Sequence, residues 1–297
     1  MIKVEDLWHT YLKGTPLEAV ALRGVDMEVY KGEAVGIIGP TGAGKSTLIQ
    51  HLNGLLRPQR GRVIIDGEDL SDEGADIRAI RRKVGLVSQY PERQLFRPTV
   101  AEDIAFGPQQ YGLPQDEIHQ RVRWAMEMVG LDFEEFKDRC TSSLSGGEMR
   151  RAAIAGILAL RPEVLVLDDV TSGLDPKGRR DLIKRIERWH RKEGITLVIV
   201  SSSMEEIVQL TERIYVMKEG RMVMSGATRE VFAHPQALIE YGLGVPQVTE
   251  VMYTLRMRGC EVATDILTVA EAEEEIWKIL RGNFAFRTLR GMGGGRI

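Results

Sequence analysis

A nine-residue stretch near the start of the chain has the residue types and spacing needed to hold a triphosphate. It consists of Gly39, Pro40, Thr41, Gly42, Ala43, Gly44, Lys45, Ser46 and Thr47, and it fits the pattern G-x-x-x-x-G-K-[ST]. The glycines let the backbone curl so that its N–H groups face the phosphates, and the following helix adds a favourable dipole. Lys45 can reach the terminal phosphates, and Ser46 can hold Mg²⁺. The stretch therefore predicts binding of a nucleoside triphosphate with Mg²⁺.

Three more short motifs lie between residues 144 and 176. They are the pentapeptide Leu144, Ser145, Gly146, Gly147 and Glu148, then an apolar run at 164–167 that leads into Asp168 and Asp169, and then Ser172, Gly173, Leu174, Asp175 and Pro176. Together with the phosphate-binding loop, these motifs resemble the signature, the Walker B strand and the D-loop of ABC-type ATPases. For the acidic pair alone, a strand that ends in a solvated turn is the alternative interpretation. The D-loop sequence directly after the pair argues against that alternative.

The resemblance to ABC ATPases implies roles for four side chains, two of them outside these motifs. Asp168 would polarise a water on Mg²⁺, and Asp169 would orient the water that attacks the γ-phosphate of ATP. Gln89 occupies the Q-loop position, where the side chain contacts Mg²⁺ and couples the nucleotide to a partner. Tyr11 resembles the A-loop aromatic residue that stacks on adenine, with a half-buried strand tyrosine as the alternative interpretation.

The signature predicts that one copy of the chain cannot complete an active site. Ser145 and the N–H groups of Gly146 and Gly147 would contact a γ-phosphate at the start of a helix. In ABC ATPases, that phosphate belongs to ATP held by the opposite subunit. We therefore expect two ATPase subunits to pair.

Longer stretches resemble one branch of the family, the ATP-binding subunits of energy-coupling-factor (ECF) transporters. The stretches are 48–56, 87–96 and 150–156, with 265–269 in the tail. The resemblance implies an importer of vitamins or transition-metal ions, in which an ATPase pair docks on a transmembrane coupling protein and a separate membrane subunit binds the substrate. It also implies a peripheral protein at the cytoplasmic face of the cell membrane, with no nucleic acid as a partner.

Three departures from the family pattern affect this interpretation. Asp169 replaces the catalytic glutamate, and Ser202 stands where a switch histidine is expected. Aspartate is one methylene shorter than glutamate, and a displacement of about 1 Å can cost about 10²-fold in rate. Serine also lacks the reach and charge of an imidazole, so we expect this chain's own Walker site to bind ATP and hydrolyse it slowly. Around the Q-loop, Ser88 replaces a usual aromatic residue, and Arg97-Pro98 replaces common acidic residues.

The composition fits one large α/β domain with a smaller appendage. The 297 residues are 43% hydrophobic, and the net charge of −3 argues against a broad nucleic-acid-binding face. Cys140 and Cys260 match no metal-ligand or redox spacing, which predicts reduced thiols in a cytosolic protein. The N-terminus lacks the apolar region of a signal peptide, and no apolar run reaches the roughly 18 residues typical of a membrane helix.

Strands and helices alternate in a rhythm typical of a mainly parallel sheet covered on both faces. Strands are predicted at 2–7, 20–30, 34–38, 62–65, 84–87, 164–167 and 195–200. Helices are predicted at 45–56, 151–160, 176–192 and within 99–130, with interruptions at Gly107-Pro108 and Gly112-Leu113-Pro114. The fold class is therefore α/β. The resemblance implies a P-loop NTPase of the ABC ATPase type, with an antiparallel β subdomain and a helical subdomain.

A domain boundary is predicted near His234-Pro235. Residues 1–234 would form the nucleotide-binding domain, and residues 235–297 a small helical domain that resembles the family's C-terminal dimerisation domain. Its two predicted helices, 245–258 and 269–280, are too few to build a stable core alone. They should pack on the main domain or on a partner, and the end at 290–297 should be flexible.

The main functional hypothesis is an ECF-type ATPase subunit in a heterodimer with a non-identical, fully equipped ATPase. A homodimeric pair, or the ATPase of another ABC importer, is the alternative within transport. Soluble ABC proteins that act on nucleic acid or ribosomes usually have two ATPase domains or a long inserted arm, and this chain shows neither. The changes at Asp169 and Ser202 also leave open a regulatory ATP-binding protein with little turnover.

Overall fold

The computed structural model describes residues 1–291, and it describes the side chains of residues 1–280. Ten strands in this part of the chain form two sheets. They are β1 (Ile2–Tyr11), β2 (Ala19–Val29), β3 (Ala34–Ile38), β4 (Arg60–Ile65), β5 (Glu68–Asp69), β6 (Val84–Val87), β7 (Val164–Asp168), β8 (Thr196–Val200), β9 (Arg213–Lys218) and β10 (Arg221–Ala227).

The described residues also form twelve α-helices and two short 3₁₀ turns. The helices are α1 (Lys45–Leu52), α2 (Ile77–Lys83), α3 (Val100–Gln110), α4 (Gln115–Val129), α5 (Phe133–Phe136), α6 (Gly146–Leu158), α7 (Pro176–Glu193), α8 (Met204–Leu210), α9 (Thr228–Phe232), α10 (Pro235–Glu240), α11 (Gln247–Met257) and α12 (Val269–Gly291). The 3₁₀ turns are Pro91–Gln94 and Thr141–Ser143.

The larger sheet has the strand order β10-β9-β3-β8-β7-β6. Its strands pair in parallel, except that β10 runs antiparallel to β9 at one edge. Every residue of β3, β7 and β8 is buried, because helices and the second sheet cover the two faces. This burial explains the uninterrupted apolar sequences of the three strands. The predicted mainly parallel sheet is confirmed.

The smaller sheet is antiparallel and has the order β2-β1-β4-β5. It packs with α1 against one face of the larger sheet through side chains such as Leu22, Ile37 and Leu48. Helices α3, α4, α6 and α7 share a second core with the opposite face, which includes Ile104 and Leu165. The antiparallel β subdomain and the helical subdomain thus both follow the predicted architecture.

Two predicted helix limits are wrong. The first helix ends at Leu52 instead of residue 56, because Gly54 turns the chain with a φ of 68°. The predicted interruption at Gly107-Pro108 does not occur, since α3 continues through Pro108 to Gln110. A Cβ on Gly107 would lie 3.0 Å from the Leu160 side chain. This glycine therefore allows close packing of α3 and does not end the helix.

The tail packs partly on the main domain and partly on itself. Leu238 of α10 is fully buried within the core that α3, α4 and α6 share. A separate small cluster holds α11 and α12 together, and its buried members are Met252, Val262, Ile266 and Ala272. Arg229 joins the two parts through an ion pair with Glu271 at 2.6 Å. The boundary near His234-Pro235 stays a prediction, and residues 292–297, where most of the predicted flexible end falls, lie outside the described residues.

Within residues 1–291, the helices are too short or too polar to cross a lipid bilayer.

Candidate functional site

The phosphate-binding loop joins the end of β3 to the start of α1, and its glycines are required for different reasons. A Cβ on Gly39 would lie 2.4 Å from the carbonyl oxygen of Met217, so no side chain fits there. Gly44 has a φ of 99° and faces the carbonyl oxygen of Ala21 in the same way. Gly42, with a φ of 82°, has open space around its Cα. The loop is therefore pressed against its neighbours at both ends and open at its centre.

A cavity of about 530 Å³ lies over this loop, at the carboxyl edge of the parallel strands. Its walls include the whole loop from Gly39 to Thr47 together with Gln89, Asp168, Asp169 and Ser202. The structure thus brings together all the predicted residues of this chain's own Walker site and the predicted Q-loop residue. The lining residues that the sequence analysis did not single out include Gly242, Leu243 and Gly244, from the segment after α10. The volume is in the range of small-molecule and cofactor sites.

Lys45 and Ser46 face the cavity from the first turn of α1. Lys45 Nζ donates hydrogen bonds to the carbonyl oxygens of Gly39, at 2.6 Å, and Pro40, at 2.9 Å. Burial lowers the pKa of Lys45, while the nearby carboxylates of Asp168 and Asp169 act in the opposite direction. A terminal phosphate would add negative charge beside this ammonium group and favour its charged form.

Asp168 is buried at the end of β7 and accepts a 2.9 Å hydrogen bond from Ser46 Oγ at Oδ2. Burial raises the pKa of this carboxyl, and the hydrogen bond from Ser46 partly opposes the shift. Two adjacent hard oxygen atoms, one hydroxyl and one carboxylate, suit Mg²⁺, which takes its remaining ligands from phosphates and water. The side chains present therefore fit a magnesium–triphosphate complex.

Asp169 and Ser202, the two positions that the sequence analysis predicts to act in hydrolysis, contact each other. Asp169 has a φ of 48°, and its N–H donates to the carbonyl oxygen of Val200 at 2.8 Å. Its Oδ1 accepts hydrogen bonds from the Ser202 hydroxyl at 3.1 Å and from the Ser202 N–H at 3.3 Å. Both changes therefore act at one point of the cavity wall, where Ser202 occupies one oxygen of the carboxylate.

The signature begins α6 and does not line this cavity. Ser145 and Glu148 cap the helix reciprocally: Ser145 N donates to Glu148 Oε2 at 2.7 Å, and Glu148 N donates to Ser145 Oγ at 3.4 Å. The hydrogen bonds from Ser145 lower the pKa of Glu148. Leu144 is buried, whereas a Cβ on Gly146 would meet only open space. The contact between this helix start and a second subunit's ATP stays a prediction.

Arg150, four residues before the buried Ile154, has a role that the sequence analysis missed. Its guanidinium is buried and forms an ion pair with Glu92 at 3.1 Å. It also donates from Nη2 to the carbonyl oxygen of Gln89 at 3.2 Å. A Cβ on Gly173 would lie 3.3 Å from Nη1 of the same side chain. Arg150 therefore connects the signature helix, the Q-loop and the D-loop. The sequence signal that could have indicated this role is an arginine among small apolar helix residues.

The D-loop lies between the acidic pair and α7. Ser172 N donates to the carbonyl oxygen of Asp169 at 3.2 Å. Leu174 lies 3.8 Å from where a Cβ on Gly147 would be, which places the D-loop beside the signature. Asp175 caps α7 by accepting hydrogen bonds from two backbone N–H groups at 2.9 and 3.0 Å.

A buried carboxylate that the sequence analysis also missed lies below the cavity. Glu206 accepts hydrogen bonds from the hydroxyls of Thr171, at 2.5 Å, and Ser201, at 2.7 Å, and from Arg179 of α7. It thereby joins the segments that follow β7 and β8. Ser201 is five residues from Glu206, but Thr171 is 35 residues away, so no local spacing indicates the whole arrangement.

Tyr11 lies at the margin of the site. It is absent from the cavity wall, but its hydroxyl contacts Thr47 Oγ1 at 3.2 Å. The ring packs edge-on against His9, with 4.5 Å between centroids, and His9 packs against His51 at 4.9 Å. Burial lowers the pKa of His51 to about 4, so this imidazole is neutral at physiological pH. The role of Tyr11 as an adenine platform stays a prediction.

Comparisons with known proteins agree with this geometry. Residues 22–172 match the family model described as ABC transporter. The chain is 47% identical over 282 residues to the energy-coupling factor transporter ATP-binding protein EcfA2 of Clostridium perfringens, covering 95% of this chain and 99% of that protein. It is 48% identical over 281 residues to the protein of the same name from Symbiobacterium thermophilum, covering 95% of this chain and 97% of that protein.

Solved structures show the same fold. A structure described as cbiO1 from Clostridium perfringens, part of the ABC transporter complex cbiONQ, has a TM-score of 0.70 and 37% identity, covering 85% of this chain and 98% of that chain. The ATP-binding cassette MJ0796, in a dimeric post-hydrolysis state bound to ADP and Pi, has a TM-score of 0.71 and 29% identity, covering 77% of this chain and 99% of that chain. With these similarities and the nucleotide cavity in place, the chain belongs to the ABC transporter ATPases and, among them, to the ATP-binding proteins of energy-coupling factor transporters.

Proposed function

We propose that this chain is the ATP-binding and ATP-hydrolysing subunit of an ECF-type importer of vitamins or transition-metal ions. The observation that carries the proposal is one cavity that gathers Lys45, Ser46 and Asp168 in a chain similar over 95% of its length to ECF ATP-binding proteins. The chain would lie at the cytoplasmic face of the membrane. A transmembrane coupling protein and a substrate-binding membrane subunit would be its partners.

The residues of the cavity have distinct tasks in this proposal. Bound Mg²⁺ supplies positive charge that offsets the charge developing on the transferred phosphoryl group. Ser46 and Asp168 hold the ion, and Lys45 contacts the terminal phosphates. Asp169 orients the attacking water, and the hydrogen bond from Ser202 limits how far its carboxylate can turn toward that water.

We further propose that the chain works in a heterodimer with a non-identical ATPase. The signature is complete and well capped, whereas both hydrolytic positions on the Walker side are altered. In a homodimer, each composite site would join a good signature to a poor Walker side. In a heterodimer, the partner's Walker side can combine with this signature to make one competent site, and the other site would mainly hold ATP.

The contact between Asp169 and Ser202 also favours a second candidate, a regulatory ATP-binding subunit with little turnover. The two candidates differ in a simple measurement. The native complex is purified from membranes through a tag on this chain, its subunits are identified, and ATP turnover is compared with that of the isolated chain. We expect a second ATPase, two membrane subunits and turnover at least about tenfold higher than that of the isolated chain, since composite sites need both halves. A complex without turnover would support the regulatory candidate.

For the tail, we propose a role in pairing of the ATPase subunits. Leu238 belongs to the main core, and residues 242–244 line the cavity. A deletion that leaves the core and the cavity intact therefore removes only the chain after residue 246. The shortened chain should keep ATP binding and pair more weakly in sedimentation experiments. Equal pairing of both chains would assign the tail another task.

A further inference from the structure

The segment between α10 and α11 forms one wall of the nucleotide cavity. Gly242, Leu243 and Gly244 line the cavity together with the phosphate-binding loop, Asp169 and Ser202. The segment belongs to none of the recognised motifs and lies more than 190 residues after the loop in sequence. Tertiary packing therefore places the segment at the cavity, and no sequence motif indicates this position.

Gly242 lies beside the part of the phosphate-binding loop that faces the terminal phosphates. It has a φ of 79°, and a Cβ there would lie 4.0 Å from Pro40 Cβ. The carbonyl oxygen of Pro40 accepts a hydrogen bond from Lys45 Nζ at 2.9 Å. Because the lysine of this motif reaches the terminal phosphates, Pro40 and its neighbour Gly242 lie at that end of the cavity.

Contacts on both sides hold the segment in place. They are the hydrogen bonds from Lys218 Nζ to the carbonyl oxygen of Glu240 at 3.2 Å, from Leu243 N to the carbonyl oxygen of Leu238 at 2.9 Å, and from Gln247 N to Glu205 Oε1 at 3.2 Å. Lys218 also lies 5.3 Å from the centroid of the Tyr241 ring. Since β9 ends at Lys218 and its Met217 touches Gly39, one strand supports both the loop and the segment.

We propose that residues 242–244 are a specificity-determining part of the ATP site that leaves room for the terminal phosphate. The two glycines line the cavity without a side chain. A Cβ on Gly242 would approach Pro40, and a Cβ on Gly244 would meet open space. ATP needs that space more than ADP does, because only ATP carries the γ-phosphate. The inference rests on the proposed ATP site.

Titration calorimetry on the full-length variants Gly244→Leu and Gly242→Val tests the inference. It measures the binding of ATP and of ADP, each with Mg²⁺. Gly244 has no positive φ and nothing within 4 Å of a Cβ, so Gly244→Leu introduces bulk without backbone strain. We expect the Kd for ATP to rise about tenfold, which corresponds to about 1.4 kcal/mol, and the Kd for ADP to rise less than about threefold.

Gly259→Val is the matched control. Gly259 has a φ of 88° and open space around it, and it lies outside the cavity wall. Gly259→Val therefore causes backbone strain similar to that of Gly242→Val without adding a side chain to the cavity. Both Kd values should stay within about twofold of the wild-type values. Unchanged ATP affinity in Gly244→Leu, or equal losses for ATP and ADP, would overturn the inference. A wild-type chain that binds neither nucleotide would instead overturn the ATP site and with it the proposed function.

Discussion

Two regions of this chain differ in how closely they match the residues that the family pattern requires. They are the Walker side, which is the cavity with its phosphate-binding loop, and the signature side, which is the start of α6. At the signature, Ser145 and Glu148 satisfy each other's backbone N–H groups, and the helix start is open toward solvent. At the Walker side, the binding residues are in place, but Asp169 is hydrogen-bonded by the serine that stands at the switch position. This difference supports the proposal that the chain completes another subunit's site and hydrolyses its own ATP slowly.

The residues proposed for binding and those proposed for hydrolysis form separate sets in one cavity. Lys45, Ser46 and Asp168 come from the loop and from the end of β7, and they form a connected set with each other. Asp169 and Ser202 follow the ends of β7 and β8 and form a second set. We therefore expect that changes in the second set can slow hydrolysis while ATP binding is kept.

Loss of the loop lysine should have the largest effect on the Walker side. Lys45→Ala removes the ammonium group that contacts the terminal phosphates, and we expect ATP affinity to fall about 100-fold, as for loss of charge-assisted hydrogen bonds worth about 3 kcal/mol. Titration calorimetry measures the change. Lys192→Ala, at an exposed position near the end of α7, is the control and should bind as the wild type does. Unchanged affinity in Lys45→Ala would remove the phosphate-loop assignment.

A pair of variants in the heterodimer compares the two sides directly. Ser145→Arg places a long cation where the signature should approach the partner's ATP, and turnover should fall about 30-fold because the composite site is misaligned. Asp169→Asn should reduce turnover less than about threefold, since the site on this chain contributes little hydrolysis. Steady-state phosphate release measures both. The opposite order of effects would mean that Asp169 is the working catalytic residue.

Restoring the family residues at positions 169 and 202 should reduce the functional difference between the Walker side and the signature side. At a concentration that lets two copies of this chain pair, so that each signature completes the other copy's site, Asp169→Glu combined with Ser202→His should raise turnover about tenfold, because a longer carboxylate and an imidazole reach the γ-phosphate. The gain should stay below a full restoration, since a φ of 48° suits aspartate better than glutamate. Turnover that does not rise in the double variant would place the slow step elsewhere. Ser202→His alone, which keeps the shorter carboxylate, separates the two contributions.

The smallest expected effect concerns the cap of the signature helix. Glu148→Ala removes the acceptor of the Ser145 N–H, and we expect a loss of about 1 kcal/mol in stability and a fall in turnover of about threefold. Glu102→Ala removes the equivalent cap residue of α3, where Thr99 and Glu102 form the same pair. Thermal melts should give similar losses for both variants, and only Glu148→Ala should lower turnover. A similar fall in turnover in both variants would show that the loss of stability alone lowers turnover.

The sequence predicted those parts of the molecule that depend on short-range patterns. The loop from Gly39 to Thr47, the buried strands predicted at 34–38 and 164–167 and the start of α6 each have their own local signal. Gln89, Asp168 and Ser202 all line the cavity, because each lies at or just after the end of a parallel strand, and the carboxyl ends of such strands meet at one edge.

Contacts between distant segments could not be predicted in this way. Glu206 reaches Thr171, 35 positions earlier, and the segment at 242–244 reaches the cavity only through the packing of α8 and α10 on the main domain. The Arg150–Glu92 pair joins residues that are 58 positions apart. The error at Pro108 has a related cause, since a proline reads as a helix end unless its tertiary packing is known.

The position of β3 in the larger sheet has a consequence for synthesis of the protein. β3 is the first strand of that sheet to leave the ribosome, yet its partners in the described structure are β8 and β9, which begin at Thr196 and Arg213. Contacts this distant in sequence form slowly, because a long loop must close before they contribute. A nascent chain that stops before Thr196 therefore carries every residue of the phosphate-binding loop, but the strand that should support it lacks both neighbours. We expect such a chain to be a target for chaperones, and ATP binding to begin only when synthesis of the main domain is nearly complete.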